Sequence, residues 1–322
     1  MKKIKVILAA VITTVVVANT VSINVSAVSK EKEVCLLNNS KDEESSVQFI
    51  IDADNSKKLP KKFRTTKEDV SVKNTENIDL TGLSDLNMSG SGALSKNGLK
   101  MIKEETKGYK LVDVDLRKES HGVVNGYAVS WYGERNHANI NLSEKEVIED
   151  EVTKFKAIEK AGYAKFDYNE KKSNSDIREI NDVKTAEPEG EMAESLDVRY
   201  LRVQVSDHLR PSNESVDKFV KNVKKLSKKK NTWFHFHCRG GVGRTTTFMC
   251  MYDMMNNAKK VSYIDILKRQ ALIGGSNLIE GNTEDKENPA NSRAAFLQDF
   301  YDYCINNDDN FKTSFSEYME NR

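Results

Sequence analysis

A chain of 322 residues, 38% of them hydrophobic, is long enough to bury a full core, and at about 150 residues per domain it fits one large domain or one with a small companion. Its 50 Lys and Arg nearly cancel its 49 Asp and Glu, which excludes the bulk positive field of a nucleic-acid or anionic-membrane binder. Any anion site must therefore be local.

Lys2, Lys3 and Lys5, an uncharged apolar run from Val6 to Ala18, and the small residues Val25-Ser26-Ala27 make residues 1–27 a signal peptide. Its removal takes away three lysines and turns the formal charge from +1 to −2. Asn19, Thr20, Ser22 and Asn24 make residues 6–29 poor as a spanning helix, so the expected product is secreted, with no stable membrane association. Residues 28–58 are polar and weakly patterned and read as a mobile leader with one strand at Val47–Ile51. Residues 59–322 read as the folded domain.

Within it, Leu94–Glu105 has helical character and Lys110–Leu116 alternates as a strand ending at Arg117. Val123–Tyr132 carries Asn-Gly between β-prone residues, which predicts a bent strand or hairpin. Over Leu142–Gly162, Ser143 with Glu146 forms a capping box, Ile148, Val152, Phe155 and Ile158 mark one helical face, and Gly162 stops it. Residues 167–195 read as loop, Val198–Val205 as a strand, and Ser206–Pro211 as a loop. Val216, Phe219, Val220, Val223 and Leu226 then mark a helix that Lys228-Lys229-Lys230 closes as a solvated end. Thr232–His237 is β-prone, and Thr245–Asn257 is a helix apolar on nearly every face, hence central.

Cys35, Cys238, Cys250 and Cys304 are scattered, without CxxC or a histidine at ligand spacing, so neither a zinc site nor a disulfide scaffold is indicated. Cys250 and Cys304 fall in apolar helical patterns and read as core. Cys238 differs: it opens Cys238-Arg239-Gly240-Gly241-Val242-Gly243-Arg244, between the strand and the central helix. Strand, glycine-rich turn and helix start, in that order, aim backbone N–H groups and the positive helix end at one spot, which suits a tetrahedral anion. A thiol there has a lowered pKa and is a nucleophile. Arg244 can return across the turn to grip two phosphoryl oxygens, and Thr245 can hydrogen-bond the sulfur when it leaves. The bland alternative is an ordinary strand-to-helix turn.

C-x5-R-[ST], extended here to His237-Cys238-x-x-Gly-x-Gly-Arg244-Thr245-Thr246, resembles the active-site loop of the protein-tyrosine-phosphatase superfamily. The resemblance implies a general acid on the upstream loop Ser206-Asp207-His208-Leu209-Arg210-Pro211, namely Asp207, for which the alternative is an Asx-turn or capping aspartate. It also implies attack by Cys238, a phosphocysteine intermediate, and no metal or other cofactor.

Leu59–Thr65, Leu86–Ser95, Asp115–Trp131, Ser206–Pro211, His235–Thr246 and Arg269–Gly275 together are similar to the bacterial protein-tyrosine-phosphatase-like phytases, which remove phosphates from myo-inositol hexakisphosphate. That likeness implies an α/β fold, a mostly parallel sheet flanked by helices, with a small partial β-barrel subdomain. It implies substrate contacts from the loop residues His237, Arg239, Gly240, Gly241, Val242 and Gly243, and from His208, Arg64, Asp115 and His121 around the pocket. Asp115 suits the orientation of a basic neighbour or a ring hydroxyl, and Arg64 and His121 have bland readings as a surface charge and a turn-stabilising imidazole.

Two departures bear on substrate. The second loop position, acidic in those phytases, is Arg239, and Ser276–Ser292, where they carry tyrosine and lysines, is net acidic and keeps Lys286. The expected partner is an inositol polyphosphate; the alternatives are a phosphatase of phosphotyrosine or dual specificity acting on phosphoproteins, and a binding protein that keeps the anion loop without chemistry.

Overall fold

The computed structural model describes residues 47–170, 172–279 and 289–322, the side chains of 289–291 excepted. Residues 1–46, which hold the expected signal peptide, most of the expected leader and Cys35, lie outside the described residues, as does Lys286. Strands are β1 (Gln48–Ala53), β2 (Arg64–Thr65), β3 (Met88–Ser91), β4 (Lys110–Arg117), β5 (His121–Val124), β6 (Tyr127–Tyr132), β7 (Ala164–Lys165), β8 (Glu179–Ile180), β9 (Ala186–Pro188), β10 (Arg199–Val205) and β11 (Thr232–His237). Helices are α1 (Lys96–Glu105), α2 (Glu144–Ala161), α3 (Glu189–Ser195), α4 (Asn213–Ser227), α5 (Gly243–Asn257), α6 (Tyr263–Leu272), α7 (Pro289–Ile305) and α8 (Phe315–Glu320).

The main sheet runs β10-β4-β11-β3-β2, parallel throughout except for β2. Parallel strands are covered on both faces and so lose clean alternation; Val112, Val114, Leu116, Phe234 and Phe236 are all buried. α4 presents Val216, Phe219, Val220, Val223 and Leu226 to this core, and α5 is buried along nearly its whole length. The catalytic candidate Cys238 follows the carboxyl end of β11, where open α/β sheets bind ligands.

A smaller antiparallel sheet, β1-β6-β5-β9, stands beside it. Asn125 (φ 47°) and Gly126 (φ 83°) both take the left-handed conformation that the two-residue hairpin between β5 and β6 demands. α2 covers this sheet with Phe155 and Ile158, under Phe49, Ile51, Val129 and Trp131.

Three sequence expectations need correction. The folded unit begins ahead of residue 59, because β1 pairs with β6 and buries Phe49, Ile50 and Ile51, with Phe49 stacked on Trp131 at 4.6 Å. The strand expected at Val47–Ile51 is thus part of the fold. On α2, whose capping box and left-handed Gly162 are as expected, the inward face holds Val147 and Glu151 while Ile148 is exposed. Finally, residues 167–195 include β8, β9 and α3, whose Glu189 is buried.

Candidate active site

The turn after β11 is shaped by what lies behind it. Gly241 has φ +69°, and a Cβ there would fall 2.5 Å from the Gly92 nitrogen and 2.6 Å from the Ser91 carbonyl carbon. Only glycine fits so close an approach. The Ala93 N–H donates to the Arg239 carbonyl, tying the loop to the end of β3. α5 then starts without a side-chain cap, so its first amides and its positive end face the loop.

Cys238 is buried, and the Thr245 hydroxyl lies 3.1 Å from its sulfur. Burial alone would push the thiol pKa up; the Arg244 guanidinium and the Thr245 hydrogen bond outweigh it, and the net shift is downward. Arg244 is fully buried, held in a fork by Glu119 (2.7 and 3.0 Å), and it donates to the Val205 carbonyl at 3.0 Å. Its Nη2 is also 3.2 Å from Asp207 Oδ2.

Asp207 sits on the loop after β10, half-buried, and is coupled to Arg244 and to Asn136, whose amide donates to Oδ2 at 3.1 Å. Burial raises its pKa, but Arg244 and the Asn136 hydrogen bond prevail and the free carboxyl is held below its ordinary value. The structure therefore brings Cys238, Arg244, Thr245 and Asp207 together. His208, exposed, takes φ +64° and gives its N–H to Asp207 Oδ1.

The outer residues are placed differently from the expectation. Arg64 is not at the rim: it is buried behind the loop, donating to the Gly241 carbonyl (2.9 Å), the Lys62 carbonyl (3.0 Å) and Thr246 Oγ1 (3.1 Å), with burial pushing its pKa down to about 10. His237 does not line the pocket either. It is fully buried, its Nε2 2.8 Å from Glu189 and 3.1 Å from Asp113, because strand alternation turns it away from the loop. Asp115 accepts from Tyr200 Oη at 2.7 Å and faces Arg202 at 3.1 Å and His121 at 3.3 Å, so it orients basic neighbours. His121 is buried in the same network.

Arg239 spends its charge internally. Its Nε donates to Asp52 Oδ1 at 2.7 Å, its Nη2 to the Lys172 carbonyl, and its guanidinium lies over the Tyr132 ring. Asp52 also accepts from Arg117, which donates to Glu119. Alternating charges thus run Arg239, Asp52, Arg117, Glu119, Arg244, Asp207, joining both ends of the catalytic loop.

Two buried trios, Asp113/Glu189/His237 and Asp115/His121/Glu189, have spacing that could hold a metal ion. In the first the His237 proton already supplies the positive charge: burial disfavours it, but Glu189 and Asp113 raise the imidazole pKa well above its usual value.

Comparison with known proteins fits this geometry. The sequence pattern of the protein-tyrosine-phosphatase-like phytases, described by inositol hexakisphosphate, matches residues 114–256. A solved myo-inositol phosphatase of this type from Mitsuokella multacida, in complex with myo-inositol-(1,3,4,5)-tetrakisphosphate, is 32% identical with TM-score 0.73, over 88% of this chain and 50% of that one. The chain has the fold of these phytases and is similar to their family.

A family member from Bdellovibrio bacteriovorus is 29% identical with TM-score 0.66, over 88% of this chain and 98% of its own. Effector protein hopD2 of Pseudomonas syringae pv. tomato is 34% identical over 257 residues, 76% of this chain and 53% of its length. The chain thus spans about half the length of the effector and of the Mitsuokella protein.

Sequence reading missed four residues of this phytase-like site. Glu119 and Asp52 carry no signal of their own, since a carboxylate in a polar stretch reads as surface. Glu189 is hidden in a segment taken for loop. Arg293 of α7 reaches the catalytic loop: it lies 3.1 Å from where a Gly243 Cβ would stand, and Asp207, Arg244 and Cys238 all act on its charge.

Proposed function

We propose that this chain is a cysteine-dependent phosphatase that hydrolyses phosphomonoesters of myo-inositol polyphosphates through a phosphocysteine intermediate. The observation that carries the chemistry is the Cys238 thiol, lowered in pKa, with Thr245 on its sulfur and Arg244 paired to Asp207 beside it. The thiolate attacks phosphorus in line; the S–P bond forms as the ester P–O bond breaks, and the departing oxygen takes the proton of Asp207. Arg244 and the amides of the loop stabilise the equatorial oxygens. Water then attacks phosphorus, gives its proton to Asp207, and releases inorganic phosphate and the thiolate, which Thr245 steadies.

Support for inositol polyphosphates as substrate comes from the likeness to the phytase family over residues 114–256 and from the tetrakisphosphate complex of the Mitsuokella relative. Export is proposed on the strength of residues 1–27, and N-terminal sequencing of culture supernatant tests it. A phosphoprotein substrate is a second reading, favoured by one observation: the Arg239 charge is already committed to Asp52, which leaves less positive charge at the mouth for a polyphosphate.

The deciding experiment measures phosphate release from inositol hexakisphosphate and from a phosphotyrosine peptide side by side, with Cys238→Ser as control. Preference for the inositol phosphate in kcat/KM, abolished by the substitution, is expected; a peptide preference of orders of magnitude would overturn the substrate assignment. Activity retained by Cys238→Ser would overturn the mechanism.

A further inference from the structure

The acid loop is held by a segment outside every motif of the sequence. Glu134–Asn136 forms a single tight turn after β6, and within it Arg135 (φ 49°) and Asn136 (φ 64°) both take left-handed backbone. Two such non-glycine residues in a row are costly and persist only when the surroundings fix them. Here the surroundings do. Asn136 is buried, and its Nδ2 donates to Glu119 Oε1 at 2.8 Å and to Asp207 Oδ2 at 3.1 Å. Carboxylates only accept, so the amide nitrogen, not its oxygen, must face them, and each of its two hydrogens has one taker. The next residue, His137, donates from Nε2 to the Asp207 carbonyl at 2.7 Å.

Glu119 is also the fork that holds Arg244. Asn136 therefore bridges the anchor of the phosphate-gripping guanidinium to the proton donor. A phosphoryl group that binds Arg244 competes with Asp207 for Nη2. Among the described residues, the hydrogen bonds then left to Asp207 from outside its own loop are those of Asn136 and His137.

We propose that Asn136 is a positioning residue for proton transfer, its amide keeping the Asp207 carboxyl over the catalytic loop once substrate has taken Arg244. This rests on the reading of Asp207 as the general acid. Asp207 serves as acid in S–P bond formation and as base in the later hydrolysis, so the signature of leaving-group protonation is dependence on the leaving group in kcat/KM, which reports the first step.

The test compares kcat/KM for phenyl phosphate, whose phenol has a pKa of about 10 and needs a proton, with kcat/KM for 2,4-dinitrophenyl phosphate, whose leaving group does not. Asn136→Gly keeps the left-handed backbone and removes the amide; Asn136→Leu removes the amide with similar bulk. Both are expected to lower kcat/KM for phenyl phosphate by roughly 10- to 100-fold, within the range general acids contribute, while the dinitrophenyl ester stays within about 3-fold. Full activity of Asn136→Gly on both esters would mean that the residue serves only the turn, and an equal fall on both would mean a structural role; either overturns the proposal. Asp207→Asn is run alongside. If it lacks leaving-group dependence, the acid assignment falls and takes this proposal with it; if it shows the dependence and the Asn136 variants do not, only the positioning role falls.

Discussion

Cys238, Cys250 and Cys304 are all buried and unpaired, and only their neighbours separate them. Burial raises the pKa of Cys250 and Cys304, whereas Arg244 and Thr245 bring Cys238 down. Iodoacetate at neutral pH should therefore label Cys238 first of these three, as read by peptide mass mapping. The alkylation rate should rise with pH and level off below the ordinary thiol value of about 8.5. Thr245→Val removes the hydroxyl from the sulfur and should move that inflection upward, with slower phosphocysteine hydrolysis seen as a larger burst relative to steady state. An unmoved inflection would assign the whole shift to Arg244 and the helix end. A second prediction concerns Gly241. Alanine there carries about 1–2 kcal/mol of left-handed backbone cost and drives its methyl into the Ser91–Gly92 backbone, so Gly241→Ala should lower both melting temperature and kcat. A variant that keeps full kcat would show that the loop can shift without harm.

At the scale of elements, the sequence was readable wherever burial follows from pattern. All five inward apolar residues of α4 and the all-round apolar α5 follow from spacing alone. On α2 Phe155 and Ile158 face inward as expected, but the two earlier positions were misread by one residue because the inner row there includes Glu151, which faces the Arg202 guanidinium and accepts the His121 N–H. A carboxylate in that row looks solvent-facing until its partner, far along the chain, is known. α3 was missed for the same reason, since Glu189 is buried only because His237 sits against it. Cys238 and Arg244 were legible because local chemistry defines them, and Asp207 only through the resemblance of its loop to the phosphatase superfamily; Asp52 was not, because its work depends on β1 docking beside the catalytic loop. That docking is itself testable. Truncation at residue 59 removes Phe49, Ile50 and Ile51, each worth about 1.5–3 kcal/mol of burial against a total of about 5–15 kcal/mol, and frees Arg239 and Arg117 from Asp52. Loss of cooperative unfolding and of phosphatase activity is expected; a truncated protein that melts like the full chain would show that β1 is dispensable.

Across the whole molecule, the two sheets are joined by buried charge as well as by apolar packing, and that makes stability depend on pH. His237 of the main sheet is protonated between Asp113 of β4 and Glu189, the first residue of α3 directly after β9, while His235, stacked 6.2 Å away and held by Ser89 and Ser91, is kept neutral by burial and by the His237 charge. Ring nitrogen shifts should accordingly report one charged and one neutral histidine at neutral pH. The folded pKa of His237 is raised, so its stabilisation is complete below the unfolded value of about 6.5 and is lost as pH climbs through the folded value. Glu119 and Asp115 are held well below their usual values, so theirs is present above about pH 4 and lost as pH falls. The Cys238 thiolate, lowered in the fold, adds stability with rising pH up to about 8.5 and would mask the histidine. Denaturant unfolding should therefore be measured in the Cys238→Ser protein between about pH 7 and pH 8, above the range where unfolded His235 loses its proton and below that where unfolded Cys250 and Cys304 ionise; stability is expected to fall there because the folded His237 imidazole keeps a proton that the unfolded one has given up. A flat or rising curve over that interval would mean that His237 is neutral in the fold and that the two sheets are not held together by its charge.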